Sequence, residues 1–322
     1  MSKGVKKAFV VVAALAVTVL VAGIGTGDAQ QKKNYSFVSS NPGGTWYNMV
    51  GGAIGLYNKE IPGVNFSVEA TGGSVENVRR VATGEAEFGM AYFSHMADAW
   101  NGQGNYKGRQ LHDIRSLCEV TVSDHYFVTL KSKNIKSLKD LAGKKVAIGA
   151  PGSGTSDNSR NILNALGIKV EPTELSFANA ARALQDGKID ALGQGGSPAA
   201  GVVELAASQD ILIIPYSDAE IAQIIKTMPS YSKAVMMANT YRGQDRAVPT
   251  VEFHVAMIAH KSVSDQVAYD VLKTTFNKDG RRFLEAVHSQ WKDLKNNPNL
   301  VKMTSVPLHP GAEKYWKEQG KK

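Results

Sequence analysis

The sequence predicts an α/β protein of two lobes, each a mainly parallel sheet flanked by helices, with a ligand cleft between them. Strand-like and helix-like segments alternate from residue 35 onward, and the alternation begins again near residue 145. Repeated strand–helix units imply right-handed crossovers and parallel strands. A late strand near 248–260 sits far from the first run, so the chain is expected to cross between the lobes twice. On this reading lobe I is 30–120 plus 248–322, lobe II is 121–247, and 322 residues give room for two cores.

The first 29 residues stand apart. Lys3, Lys6 and Lys7 precede an apolar run from Ala8 to Ile24 in which Thr18 alone is polar, and Gly27-Asp28-Ala29 sets small residues where a signal peptidase cuts. Residues 1–29 read as a cleaved secretory signal, which places the protein in a bacterial periplasm. The competing reading is an uncleaved anchor helix, because the run is at the short end of what spans a bilayer. With 43% hydrophobic and 20% charged residues the chain is not a disordered one. Its single cysteine, Cys118, forms no intramolecular disulfide and no cysteine-rich zinc site.

Each later element has a local reason. Tyr35–Ser39 is a short strand, Thr45–Lys59 has helical spacing, and Asn65–Ala70 alternates as a half-buried strand does. Ser74–Thr83 is helical, Phe88–Tyr92 is a third strand, and Ile114–Leu130 is long and β-rich with a break expected at Ser123-Asp124. In the second run Lys145–Ala150 is a strand and Thr155–Leu166 a helix that Gly167 stops. Ser176–Asp186 is a helix closed by Gly187, and Ile189–Leu192 is a strand. Pro198–Ser208 is helical, Ile211–Pro215 and Val251–His260 are strands, and Asp265–Val287 is largely helical.

Four glycine turns join strands to helices: Asn41-Pro42-Gly43-Gly44-Thr45, Thr71-Gly72-Gly73-Ser74, Pro151-Gly152-Ser153-Gly154-Thr155 and Gly195-Gly196-Ser197-Pro198. Each pairs glycine with a hydroxyl residue at a helix start, where the hydroxyl is expected to cap the helix. Such a turn leaves backbone N–H groups free at the positive end of the helix dipole, which suits an anion. In open α/β sheets these turns gather where ligands bind. Taken singly each turn is explained by capping; taken together the four point to one shared anion site.

Other chemistries fail on the residues. Gly149-Ala150-Pro151-Gly152-Ser153-Gly154-Thr155-Ser156 has P-loop glycine spacing, but Thr155 stands where the phosphate-binding lysine belongs. Gly195-Gly196-Ser197-Pro198-Ala199 is like a nucleophile elbow, but its last glycine is alanine and Pro198 has no N–H for an oxyanion hole. The seven histidines show no metal-ligand spacing, so no metal and no cofactor is expected. Net charge is +8, with Lys131, Lys133, Lys136, Lys139, Lys144 and Lys145 clustered. The cluster reads as a solvated helix face or a docking surface, and not as a nucleic-acid site, because no stacking aromatics are interleaved.

At Gly43-Gly44-Thr45-Trp46-Tyr47, Val68-Glu69-Ala70-Thr71-Gly72-Gly73-Ser74-Val75-Glu76-Asn77 and Gly149-Ala150-Pro151-Gly152-Ser153-Gly154-Thr155 the chain resembles the TAXI proteins. These are solute-binding subunits of TRAP (tripartite ATP-independent periplasmic) transporters. Gly243-Gln244-Asp245, Val248-Pro249-Thr250 and Pro307-Leu308-His309-Pro310-Gly311 extend the likeness toward the C-terminus. The resemblance implies a type II-like periplasmic-binding-protein fold that closes on a small carboxylate, a dicarboxylate or an amino acid. It also implies a monomer that delivers its ligand to a membrane permease driven by an ion gradient, without catalysis. Ligand contacts are then expected from Gly44, Thr45, Trp46 and Tyr47, from Thr71, Gly72, Gly73 and Ser74, and from Gly152, Ser153, Gly154 and Thr155.

The chain departs from its relatives twice. Ala91-Tyr92-Phe93-Ser94-His95 stands where they carry a Gln-Ser/Thr-Asp type of sequence, and Gly193-Gln194-Gly195-Gly196-Ser197-Pro198 replaces an Ala-Gly-x-Pro ending. Tyr92, Ser94 and Gln194 are therefore expected among the specificity positions, and Ser197 among the ligand contacts. Loss of the acidic residue favours a plain carboxylate over an amino acid. Arg115 and Arg160 are the nearest cationic candidates. Two rival readings share the fold: an exported enzyme acting on a small anion, and a sensor subunit that hands its closed complex to a signalling receptor.

Overall fold

In the computed structural model, which describes residues 32–295 and 300–321, the chain opens with a parallel pair. Strand β1 (Lys33–Val38) runs into helix α1 (Thr45–Glu60) and returns as β2 (Val64–Glu69), with Tyr35 opposite Phe66. Helix α2 (Ser74–Ala82) turns Val78 and Val81 inward. It leads to β3 (Phe88–Tyr92), all five of whose residues are buried. Such a strand reads as a continuous apolar run because both of its faces are covered. Helix α3 (Phe93–Asn101) follows without a linker.

Strand β4 (Ile114–Leu130) is 17 residues long, three times the usual length of about 5–6. Strand β5 (Lys145–Ala147), helix α4 (Gly154–Ala165), strand β6 (Glu171–Thr173), helix α5 (Phe177–Gln185) and strand β7 (Ala191–Gly195) form the second parallel unit. Then come α6 (Ala200–Ser208), β8 (Ile211–Ile214), α7 (Asp218–Thr227), β9 (Ser232–Met236) and β10 (Val248–His260). Helices α8 (Asp265–Phe276), α9 (Lys278–Val287), α10 (Leu300–Thr304) and α11 (Pro310–Glu318) complete the described chain.

The sheet order is β2-β1-β3-β10-β4-β7-β5-β6, with β8 beside β4 and β9 beside β10. The architecture is the type II periplasmic-binding-protein fold. Parallel trios β2-β1-β3 and β7-β5-β6 lie on either side of two long strands that run antiparallel to their neighbours. The C-terminal half of β10 pairs with β3, and its N-terminal half pairs with β9. The C-terminal half of β4 pairs with β7 and β8.

The structure amends several elements. The break expected at Ser123-Asp124 is absent, because both residues pair with β10, Ser123 with Phe253 and Asp124 with Glu252. The stretch read as largely helical over 265–287 is two helices. Asn277 ends α8 and caps α9 by accepting the Gly280 N–H at 2.7 Å. Strand β5 stops at Ala147, three residues early, where the chain turns toward Gly149 at φ 123°. The short edge strands β6 and β9 and helices α3, α7 and α11 went unread, being brief or irregular in pattern. The segment read as a secretory signal lies outside the described residues. No helix among the described residues is long and apolar enough to cross a membrane.

Candidate functional site

All four glycine turns reach one cavity, three of them with a helix N-terminus and the fourth with Gly195 alone. Its near wall is Ser40, Thr45, Trp46, Gly72, Gly73, Ser74 and Tyr92; its far wall is Ser153, Gly154, Thr155, Phe177 and Gly195. The space is small, about 20 Å³, close to the room that one water needs. No lining residue carries a charge. Trp46 and Tyr92 pack edge to face at 4.8 Å, and Phe253 backs Tyr92 at 4.7 Å. Burial pushes the Tyr92 phenol up to about 12, so it remains a hydrogen-bond donor at neutral pH.

The walls are tied across the cleft. Thr45 Oγ1 donates to the Gly196 carbonyl at 2.9 Å, and the Glu76 N–H donates to the Gly152 carbonyl at 3.1 Å. The Phe177 N–H donates to Asn41 Oδ1 at 3.1 Å, and His95 Nε2 lies 3.1 Å from Asp157 Oδ2. Glycine permits this closeness: a Cβ on Gly72 would overlap the Pro151 carbonyl oxygen, and one on Gly154 would lie 2.5 Å from the Tyr92 ring.

Capping differs from the expectation, and the difference opens the site. Only Ser153 caps its helix, accepting the Ser156 N–H at 2.9 Å. In α1 and α2 the cap position belongs to Gly44 and Gly73, so Thr45 and Ser74 are the first helical residues and their hydroxyls bond elsewhere. The third amide of each helix has an acceptor: Ser40 Oγ for Tyr47, Gly152 O for Glu76 and Ser153 Oγ for Ser156. The first two amides of a helix have none within the helix. The amides of Thr45 and Trp46, Ser74 and Val75, and Gly154 and Thr155 are thus left without an acceptor among the described residues. Three helix N-termini open at this space, and five of the six free amides belong to residues that line it.

The remaining candidate residues fall around this space. Gly44 adjoins it behind Ser40 and Phe177. Tyr47 and exposed Gly152 stand outside its lining, each contributing backbone atoms to the ties above. Thr71 is buried behind it and donates to Asn77 Oδ1 at 2.6 Å. Ser94 lies outside the lining on α3, and its neighbour His95 reaches Ser74 instead. Gln194 is buried and donates to the Gly195 carbonyl at 3.1 Å. Ser197 faces a separate cavity with Asp124, where its N–H and Oγ–H hold the two carboxylate oxygens at 2.8 and 2.7 Å. Arg115 donates to the His112 and Ile114 carbonyls and Arg160 to Glu174, and neither lines the cavity.

Ser40, Phe177 and Gly195 were missed as lining residues. Ser40 lies two residues past β1, Phe177 opens α5 after its Ser176 cap and Gly195 ends β7, positions whose direction depends on the fold rather than on a motif.

Comparison with known proteins agrees with this architecture. MatC from Rhodopseudomonas palustris, solved with bound malate, is 11% identical, with 88% of this chain and 98% of that one covered and a TM-score of 0.57. A protein of Bordetella bronchiseptica RB50 is 18% identical, with 89% of each chain covered and a TM-score of 0.51. An ancestral arginine-binding protein bound to arginine is 14% identical, with 81% of this chain and 99% of that one covered and a TM-score of 0.50. At these identities the likeness is one of fold. Fold and cleft together define a solute-binding protein. A model of the NMT1-like family matches residues 38–320. The chain belongs to that family, which takes in the TAXI-type TRAP binding proteins that its motifs resemble.

Proposed function

We propose that the chain is an exported, periplasmic binding protein that captures a small carboxylate between its lobes and delivers it unchanged to an ion-gradient-driven TRAP permease. The lobes are taken as 30–120 with 248–322, and 121–247. One observation carries the reading: three helix N-termini meet at a cavity with no charged side chain in its wall, and five of their unused amides, those of Thr45, Trp46, Ser74, Gly154 and Thr155, belong to lining residues. Taking a carboxylate out of water is costly unless hydrogen-bond donors replace its hydration. Preorganised amides at positive helix ends supply those donors without a buried counter-ion. The malate bound by MatC and the arginine bound by the ancestral protein both carry carboxylates. No acidic side chain lines the wall to meet an α-ammonium group, which favours a plain carboxylate over an amino acid.

The test is thermal unfolding and tryptophan fluorescence of the purified protein against malate, succinate, 2-oxoglutarate, glutamate and monocarboxylates. Ligand at 100 times its dissociation constant adds about 2.7 kcal/mol of stability. Trp46 in the wall reports the same event optically. No shift with any carboxylate overturns the proposal.

The enzyme reading has one observation in its favour: Ser74, His95 and Asp157 stand in hydroxyl–imidazole–carboxylate order. Chemical analysis of the ligand after incubation separates the two, since a binding protein returns it unaltered.

A further inference from the structure

Ser74 lines the cavity, and its hydroxyl sits between two groups on one side. Its Oγ accepts the Tyr92 N–H at 2.8 Å and lies 2.8 Å from His95 Nδ1. The other ring nitrogen, Nε2, faces Asp157 Oδ2 at 3.1 Å, on α4 across the cleft. His95 is 1% exposed, so the protein and not bulk water supplies its partners.

The proton positions follow from these contacts. Burial pushes the Asp157 carboxyl up, but His95, Asn105 and Arg160 outweigh it and hold the group below the usual carboxylate range. An ionised carboxylate only accepts, so Nε2 carries a hydrogen whether the ring is neutral or charged. The variable proton is therefore at Nδ1. In the neutral ring Nδ1 accepts, the Ser74 hydroxyl hydrogen is drawn to it, and Ser74 has nothing left to donate to the cavity. In the charged ring Nδ1–H donates to Ser74 Oγ, which then accepts twice and has its single hydrogen free for an anion.

We infer that His95 is a positioning residue that makes anion capture proton-linked: the Ser74 hydroxyl serves a carboxylate in the cavity only when His95 takes up a proton. This rests on the carboxylate-binding reading above and deepens it. Asp157, on α4, stands across the cavity from His95.

The other charged and titratable groups around His95 do not replace it. Asp98, on the same helix, is pushed up by burial and drawn down by His95. Tyr106 is pushed further up by burial, Asp98 and Asp157, and stays neutral. The Tyr92 ring packs against the imidazole at 5.7 Å. Glu76 on α2 accepts the Gly72 N–H at 2.7 Å. The two nearby cations are engaged, Arg160 with Glu174 at 3.0 Å and Arg79 with Glu85 at 2.6 Å.

The experiment is isothermal titration calorimetry of the purified protein with malate, succinate and 2-oxoglutarate. These probes are largely ionised between about pH 6.5 and 8.5, and two buffers of different ionisation enthalpy reveal proton uptake. The expected result is uptake of up to one proton per bound ligand, with affinity falling by as much as ~10-fold per pH unit as pH rises. In His95→Asn the uptake disappears and affinity becomes flat with pH, roughly 10-fold weaker at the acidic end. Ser74→Ala keeps the histidine and loses the uptake as well, an outcome that a purely structural histidine does not give. Wild-type binding without proton uptake overturns the inference and leaves the carboxylate reading standing. Uptake that survives in His95→Asn also overturns it. Failure of every probe to bind overturns both.

Discussion

At Gly73-Ser74 and at Gly196-Ser197 the chain makes the same move, a glycine at positive φ (130° and 76°) followed by a serine near a helix start. At the first, the serine is the first residue of α2, lines the cavity and leaves its own amide free. At the second, both the N–H and the hydroxyl of the serine are spent on Asp124, and helix α6 begins three residues later at Ala200. The same two residue types thus make a donor site in one place and a carboxylate anchor in the other. What decides between them is whether a buried acceptor already faces the turn.

Substitutions test that contrast, the strongest first. Gly72→Ala places a methyl group against the Pro151 carbonyl across the cleft, at a position without positive φ. It is expected to weaken carboxylate binding at least ~100-fold, about 2.7 kcal/mol, by holding the walls apart. The unliganded melting temperature should stay near the wild-type value, and a large fall in it would mean that Gly72 serves folding rather than closure. Ser153→Ala removes the cap of α4 along with a wall hydroxyl. A loss of about 1 kcal/mol in stability and a several-fold loss of affinity are expected from denaturation and calorimetry.

At the fourth turn, Ser197→Ala and Asp124→Asn are expected to leave affinity within about twofold. A tenfold loss in either would mean that this turn serves the site through more than Gly195. Asp124→Asn has a pH signature of its own. Burial pushes the Asp124 carboxyl up to about 6 against the hydrogen bonds from Ser197. A raised pKa contributes stability that is present below the ordinary carboxylate range and is lost as pH rises through about 6. Between about pH 4 and 7 the wild type should therefore lose on the order of 1–2 kcal/mol relative to Asp124→Asn, read from melting curves in both states.

Much of the fold was legible because its signals are local. Phe88–Tyr92 and Ile114–Leu130 match the observed strands at both ends, the first as a short apolar run and the second as a β-rich stretch whose expected internal break is absent. The glycine turns were legible as turns. Their roles were not, because a hydroxyl bonds to whatever the tertiary fold brings near it. The spacing of residues 193–198 says nothing of Asp124, 73 positions from Ser197. Ser94 and His95 show the same limit. Adjacent residues on α3 point in different directions, and the histidine meets its carboxylate 62 positions away.

Strands β4 and β10 serve both halves of the sheet, and residues Lys32–Lys322 hold together as one unit. Neither half owns a complete set of strands, so a fragment cut at either crossing would expose unpaired backbone and the core beneath it. Heating should accordingly melt the molecule in a single step even though only a dozen residues line the cavity. Occupancy of one small cleft then becomes a property of the entire chain, and a protease or a partner far from the cleft meets a measurably different protein once the solute is inside.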